Sequence, residues 1–320
     1  MTTTDAPQAA PPPTGKRRIG DAVFAGLARG SGLLILLILA GVAAFLIIQA
    51  WPSLAANTTG FLTTQEWDAN VRENPAFGVA ALAFGTVLAA AIALLLATPV
   101  AVGIALFIVY YAPRRVASVL GYLVDLLAAI PSVVYGLWGI GFLAPQLVPV
   151  FRGLTEYLGW IPLFSGPAST SGRTILTASV VLAVMILPII TAMSRDVFKQ
   201  VPQGHREAAL AMGATRWEMI RLAVLPFGRS GVVGGAMLGL GRALGETMAV
   251  AMILSPSLAI SFDLLQSGNQ TIAAHIALQY PEATGYGVSA LIAAGLVLFA
   301  ITLAVNMGAR YIVARGSKEA

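Results

Sequence analysis

Long apolar blocks separated by short polar stretches set the pattern of this chain. A block can cross a bilayer as a helix when it holds about 20 apolar residues. The first run is Leu33–Ile48, continuing to about Trp51. Five more follow: Phe77–Tyr110, Val116–Val150, Thr174–Met193, Ser230–Leu254 and Ser289–Tyr311. The pattern predicts an all-α membrane protein with six transmembrane helices. It divides into a tail over residues 1–29, a six-span domain over 30–313 with a large polar loop at 194–229, and a tail over 314–320. The second and third blocks are too long for one upright helix. Pro99 interrupts the second, and Pro131, Pro145 and Pro149 interrupt the third. Such segments are tilted, bent, or extended past the membrane as short surface helices.

Composition agrees. Hydrophobic residues make up 58% of the 320 and charged residues only 10%, against roughly 25% charged in a soluble domain. Mean hydropathy is +0.83. So few charges cannot cover a soluble surface of this size, which excludes a cytosolic globular enzyme, a disordered protein and a nucleic-acid-binding domain. Residues 1–15, with Pro7, Pro11, Pro12 and Pro13, bury nothing and read as a disordered tail. Lys16, Arg17, Arg18 and Arg29 then precede the first run, as in a signal peptide. The run is longer than a usual signal core and more spans follow, so it reads as an uncleaved first span. Cysteine is absent, so there is no disulfide framework, thiolate metal site or cysteine nucleophile.

Lys and Arg are distributed unevenly. The N-terminal tail, Arg114 and Arg115, the loop with Arg195, Lys199, Arg206, Arg216, Arg221 and Arg229, and the tail with Arg310, Arg315 and Lys318 fall on one side. Only Arg72, Arg152 and Arg173 fall on the other. The positive-inside bias makes the first side cytoplasmic, with both termini there.

The loop between spans four and five carries the clearest local signals. Gly204 and Gly213 bracket a helix-forming run, and Gly213 suits a left-handed helix end. Thr215 and Glu218 have capping-box spacing, so a second helix starts there, with Pro226 at its end. A helix, a glycine turn and a second helix at the membrane surface can dock into a groove on a partner. The series Glu207-Ala208-Ala209, Gly213, Ala223 and Leu225-Pro226 resembles the EAA loop of permease subunits in ABC importers. That family usually has Ile where Ala223 stands. The resemblance implies that the loop is the coupling element that docks on the ATPase subunit.

Longer strings narrow the likeness. WPSL at Trp51–Leu54, EWD at Glu66–Asp68, LLAAIPSVVYGLWG at Leu126–Gly139 and LGLGRALGETMAV at Leu238–Val250 are similar to PstC-type permeases of the phosphate ABC importer. The similarity runs from about Ile19 to the end of the last span.

Charges inside the spans supply the candidate chemistry. Arg242 lies about 12 residues into span five, about 18 Å deep at 1.5 Å per residue, near the midplane. An Arg there costs about 2.5–3.5 kcal/mol on insertion scales, so it should face a cavity or another charge. Glu246, four residues on, would share its helix face, with Thr247 beside it. From the residues alone, Arg242 and Glu246 form either a structural ion pair or a step on an anion path. A guanidinium grips phosphate with two parallel hydrogen bonds, and Glu246 can accept the proton of a hydrogen phosphate. The resemblance implies that this Arg and Glu are required for transport. Asp125, about nine residues into the third block, would make the intramembrane charge net negative. Either an acid is then protonated, or Asp125 faces elsewhere, or, as the paired permeases of the resembled family imply, a second permease contributes a cation.

Gly231, Gly235 and Gly239, then Gly241 and Gly245, let helices approach closely, within one subunit or between two. Ser132, after Pro131, is either part of a bare kink or a pore-lining donor. His205 and His275 fall in loops on opposite sides, cannot share a metal, and read as solvated. No P-loop motif occurs, so energy must come from a partner. The resemblance implies an ATP-driven phosphate importer. Its partners would be a PstA-like second permease, a PstB-like ATPase dimer holding ATP and Mg, and a PstS-like extracytoplasmic phosphate-binding protein. The alternatives are import of another oxyanion, sulfate or molybdate, a proton-coupled secondary transporter, or a membrane scaffold without transport.

Overall fold

A computed structural model describes residues 19–71 and 73–316 of the chain. The expected disordered tail over 1–15, the basic Lys16, Arg17 and Arg18, and Arg72 and Lys318 lie outside the described residues. Six helices are long and apolar enough to cross a membrane, as the block pattern predicts. The chain divides into two units at Leu46. Helix α1 (Ile19–Ala56) begins well before residue 30, so residues 19–29, expected in the tail, are helical.

The second unit holds the other five spans. A short hairpin of β1 (Trp67–Asp68) and β2 (Ala76–Phe77) leads into α2 (Ala80–Leu106), which a π-turn at Phe107–Tyr111 extends. Pro99 lies within α2 and does not end it. Next come α3 (Arg114–Ala128), α4 (Ser132–Trp138), a π-turn at Gly139–Leu143 and α5 (Ala144–Leu158). The third span is therefore Ser132–Leu158, not Val116–Val150. Pro131 has no N–H to continue a helix and holds the residue before it out of the helical region. It separates the amphipathic α3 from α4, so α3 is one of the short surface helices that the block length allowed.

Helix α6 (Ile175–Lys199) is the centre of the unit. Ala89, Ala93, Ala97, Ala101 and Ala105 of α2, spaced by four, are buried to 1% exposure or less. With no bulk beyond Cβ they let α2 lie close along α6, whose Ala178, Leu182, Ile186 and Ile190 share the same core. Two hydroxyls inside this apolar layer return to their own helix, where no water is present to satisfy them. Ser179 donates to the Ile175 carbonyl and Thr191 to that of Leu187.

After α6 come α7 (Gln203–Ala211), α8 (Arg216–Met219), a π-turn at Ile220–Val224, α9 (Leu225–Leu244) and α10 (Met248–Ile253). Residues 216–244 form one continuous spanning helix. Pro226 does not end the second loop helix as expected. It stands in the first turn of α9, directly after the π-turn. Pro145 stands the same way after the π-turn at Gly139–Leu143. In both cases the residue four before the proline lies within the π-turn. The widened turn relieves the clash with that carbonyl and absorbs the missing donor. Helices α11 (Ile272–Gln279) and α12 (Gly287–Gly316) complete the chain.

Candidate functional site

Helix α9 packs antiparallel on α6 through a glycine face. A Cβ on Gly228 or Gly231 would strike Phe198 or Val197, and one on Gly235 or Gly239 would press on Met193 or Ile190. The spacing of Gly231, Gly235 and Gly239 therefore serves packing within this chain. Gly234 and Gly241 meet nothing within 4 Å.

Arg242 stands in the last turn of α9, half-buried, and its Nε is enclosed without a hydrogen-bond partner. The helix stops at Leu244, so Glu246 does not continue the face of Arg242, contrary to expectation. Gly245 closes the helix and the chain turns before α10. Glu246 is 8% exposed, and its Oε1 accepts the Ala249 N–H at 3.1 Å, one of the donors that the start of α10 leaves free. Among the described residues the ion pairs join Arg195 to Asp125 and Asp196, and Lys199 to Asp196. Arg242 and Glu246 are not paired. Thr247 is half-buried and its hydroxyl donates to the Gly245 carbonyl at 3.2 Å.

Helix α4 runs parallel to α10. Gly136 lies against Ala249 and Gly139 against Ile253, where a Cβ would collide. Ser132 opens α4 one turn before Gly136. Arg242, Glu246 and Thr247 thus lie close along the chain around a break in a spanning helix, and Ser132 opens the helix that packs on α10. Tyr135 joins them, its hydroxyl donating to the Leu127 carbonyl at 2.9 Å. Sequence reasoning passed over it, although it lies three residues from Ser132.

Asp125 belongs elsewhere. It is on α3, exposed, 3.3 Å from Arg195 at the end of α6 where the basic residues gather. It does not enter the intramembrane charge count, and Arg242 with Glu246 then sums to zero rather than to a negative site. A charged residue inside an apolar block reads the same at midplane or at a helix end; the position of Arg195 decides.

The loop before α9 forms as its local signals require. Gly213 has φ +86°, a left-handed conformation that side chains beyond glycine and asparagine avoid. The Thr215 hydroxyl accepts the Glu218 N–H, and the Glu218 carboxylate accepts the Thr215 N–H at 2.7 Å, completing the capping box. Helix α7 has no buried residue. Glu207 and Ala208 are exposed, and Met212 is 88% exposed. Ala209 and Leu225 are half-buried against the cluster of Phe198, Met219, Ile220 and Val224, while Pro226 is exposed. Ala223, where a larger residue was expected, is half-buried, and Ile220 and Val224 carry that packing. Arg206 lies over the Tyr110 ring at 5.8 Å, and the Tyr110 hydroxyl donates to the Phe198 carbonyl.

The two histidines differ. His205 on α7 is exposed, as expected. His275 on α11 is not solvated: it is 4% exposed, edge-on to Trp67 at 4.6 Å, and its Nε2 has no partner. Burial holds its pKa down at about 4, so the ring is neutral. It lines a 370 Å³ cavity with Trp67, Ser257, Gln270 and Gln279. No group of three or more potential metal ligands occurs among the described residues.

Residues 97–318 match the family of binding-protein-dependent transport system inner membrane components. The chain is 49% identical over 298 residues to a Mycobacterium bovis protein named phosphate transport system permease protein PstC 2, covering 92% of each. It is 48% identical to PstC of Mycobacterium leprae, covering 84% of this chain and 86% of that one. A solved bacterial ABC transporter that imports the acidic polysaccharide alginate shares the fold, with TM-score 0.54 at 19% identity over 92% of this chain and 99% of that one.

Proposed function

This chain belongs to the family of binding-protein-dependent transport system inner membrane components, among the PstC phosphate permeases, and we propose that Arg242 is the cation over which phosphate crosses. The protein is a multi-pass inner-membrane permease subunit of an ATP-driven inorganic phosphate importer. Sulfate or molybdate import and proton-coupled transport are not favoured, because relatives covering most of the chain are phosphate permeases.

The observation that carries the role of Arg242 is its enclosed, unpartnered Nε beside a break in a spanning helix. A guanidinium buried there without a carboxylate keeps its charge and its planar donors for an oxyanion. The Ser132 hydroxyl, at the start of the helix packed on α10, offers a further donor, and the Thr247 oxygen, whose proton goes to the Gly245 carbonyl, offers an acceptor. Glu246 uses one oxygen on Ala249, which leaves the other to take the proton of hydrogen phosphate.

Helix α7 is the docking element for a PstB-like ATPase dimer, through Glu207, Ala208 and Ala209, with Gly213, Leu225 and Pro226 setting its angle. Its bare surface supports this reading. The continuous helix 216–244 joins that loop to Arg242, so movement of the docked loop reaches the path along one element. ATP and Mg are held by the ATPase, since this chain carries no P-loop motif. A PstA-like second permease completes the path, and a PstS-like protein delivers phosphate outside. The basic end, with both termini, faces the cytoplasm by the positive-inside bias.

The test is uptake competed by phosphate, arsenate and sulfate. Arg242→Gln should abolish phosphate uptake, and Arg242→Lys should retain part of it with weaker anion discrimination. Arg242→Gln combined with Glu246→Gln should recover nothing, because the two are not paired. Full uptake by that double variant, at normal expression, would remove Arg242 from the path.

A further inference from the structure

In the sequence Arg173 is one of only three basic residues on the side opposite the basic loop and tails. In the fold it reaches across to α10. Its Nη2 donates to the Leu254 carbonyl at 2.8 Å and to that of Met252 at 3.5 Å, and its Nε donates to the Ile253 carbonyl at 3.2 Å. Those carbonyls close the end of α10, where no helical N–H follows to satisfy them. A guanidinium there also complements the negative end of the helix. Arg173 has no carboxylate partner among the described residues.

The backbone that carries Arg173 is itself locked. Gly172 has φ +70°, and a Cβ on it would collide with the Ala144 carbonyl, so the turn sits hard against the start of α5. The Thr177 hydroxyl donates to the Gly172 carbonyl at 2.6 Å, and Thr174 caps α6 by accepting the Thr177 N–H. Arg173 therefore projects from a fixed point at the head of the central helix.

Helix α10 has six residues, about 9 Å at 1.5 Å per residue. One end is gripped by Arg173. The other end is the break at Gly245–Thr247, beside Arg242. Gly136 and Gly139 allow α10 to lie close on α4, yet they give it no polar tie along its length. We propose that Arg173 is a positioning residue of the anion path: by gripping the carbonyl end of α10 it fixes where Glu246 and Thr247 stand relative to Arg242. This inference rests on the phosphate reading of Arg242.

The test uses the full complex in proteoliposomes, with ATPase and binding protein, inorganic phosphate as cargo, and the variants Arg173→Gln and Arg173→Lys. Met248→Cys in this naturally cysteine-free chain adds a reporter on α10, whose rate of reaction with a small, membrane-permeant thiol reagent reads how firmly the helix is held. Arg173→Gln should assemble and hydrolyse ATP as the parent does. Phosphate moved per ATP should fall about tenfold, as misplacement of a working group does, and labelling at 248 should speed up. Arg173→Lys keeps one carbonyl contact and should fall less. A merely structural role would lower the amount of complex without changing phosphate per ATP. Parental phosphate per ATP and parental labelling in Arg173→Gln would overturn the proposal. If that variant does not assemble, the same parental result in Arg173→Lys overturns it. If the parent complex hydrolyses ATP but moves no phosphate, the phosphate reading fails, and the labelling rates still decide whether Arg173 holds α10.

Discussion

The two connectors that flank the fifth span are opposites. The one before it, α7 to α8, buries nothing on α7 and satisfies its polar groups locally, through the Gly213 turn and the Thr215–Glu218 box. The one after it, from Ser255 to Tyr286, is equally polar in sequence but folds inward. Gln270, Thr271 and His275 are each exposed by 4% or less. Two of its hydrogen bonds reach distant elements: the Thr86 hydroxyl of α2 accepts the Ile272 N–H, and the Asp263 carboxylate accepts the Gly166 N–H. The first leaves its helix surface bare. The second is already docked on its own chain. Polar residues between spans thus do not by themselves indicate a solvated loop; what matters is whether their hydrogen bonds close locally or on a distant element.

The largest effect should come from the exposed connector. Gly213→Val places a β-branched residue at φ +86°, a conformation costing about 1–2 kcal/mol or more. The space around it is open, so the strain lies in the backbone alone. The turn should rearrange, ATPase capture and uptake should be lost, and all spans should still insert. Gly213→Asn tolerates the left-handed region and should retain uptake. Pull-down and uptake measured together check this, and full coupling in the Val variant would refute a docking role for the turn.

The buried connector should respond the other way. A Cβ on Gly85 would run into the Gln270 carbonyl, which is backbone and cannot swing aside. Gly85→Ala should destabilise the protein by about 1–3 kcal/mol, the usual cost of overpacking. It should leave ATPase capture intact, because α7 is untouched. Thermal unfolding in detergent, read beside pull-down, separates the two connectors. A loss of capture with unchanged unfolding would reverse the contrast.

The smallest effect is a pH dependence. His275 is neutral in the fold, with a pKa of about 4, against about 6.5 when unfolded. Below pH 6.5 the unfolded chain binds a proton that the folded chain refuses, so stability falls as pH falls toward 4. At pH 5 the loss from this group is about 2 kcal/mol, at 1.36 kcal/mol per pH unit. His275→Gln should flatten the slope between pH 7 and 5. An unchanged slope in that variant would mean that the ring already takes its proton in the folded state.

Legibility follows the range of the interaction. The glycine turn and the capping box were visible because their partners lie within three residues. The alanine series from Ala89 to Ala105 was equally visible as a spacing of four, yet it passes unnoticed among so many alanines, and it makes the closest packing in the unit. The third span was misplaced because Val116–Ala128 is apolar on one face only, and its length hid the end of one helix and the start of another at Pro131. Tyr135 and Arg173 carried no local signal. Each acts on a backbone carbonyl, and a carbonyl has no letter in the sequence.

The sequence by itself determined the six membrane-spanning helices, since block length alone meets the bilayer's thickness. It also determined the Gly213 turn and the Thr215–Glu218 box, since backbone conformation and caps are set by adjacent residues. Only the tertiary structure decided where the charges stand. Asp125 went to Arg195, seventy positions away, and Glu246 turned to a new helix start instead of to Arg242. Buried polar groups take whichever partner the packing brings near, because leaving one unpaired costs more than most single contacts gain. Where a helix breaks inside the membrane depends on which groups can satisfy the freed backbone, and those groups come from other helices.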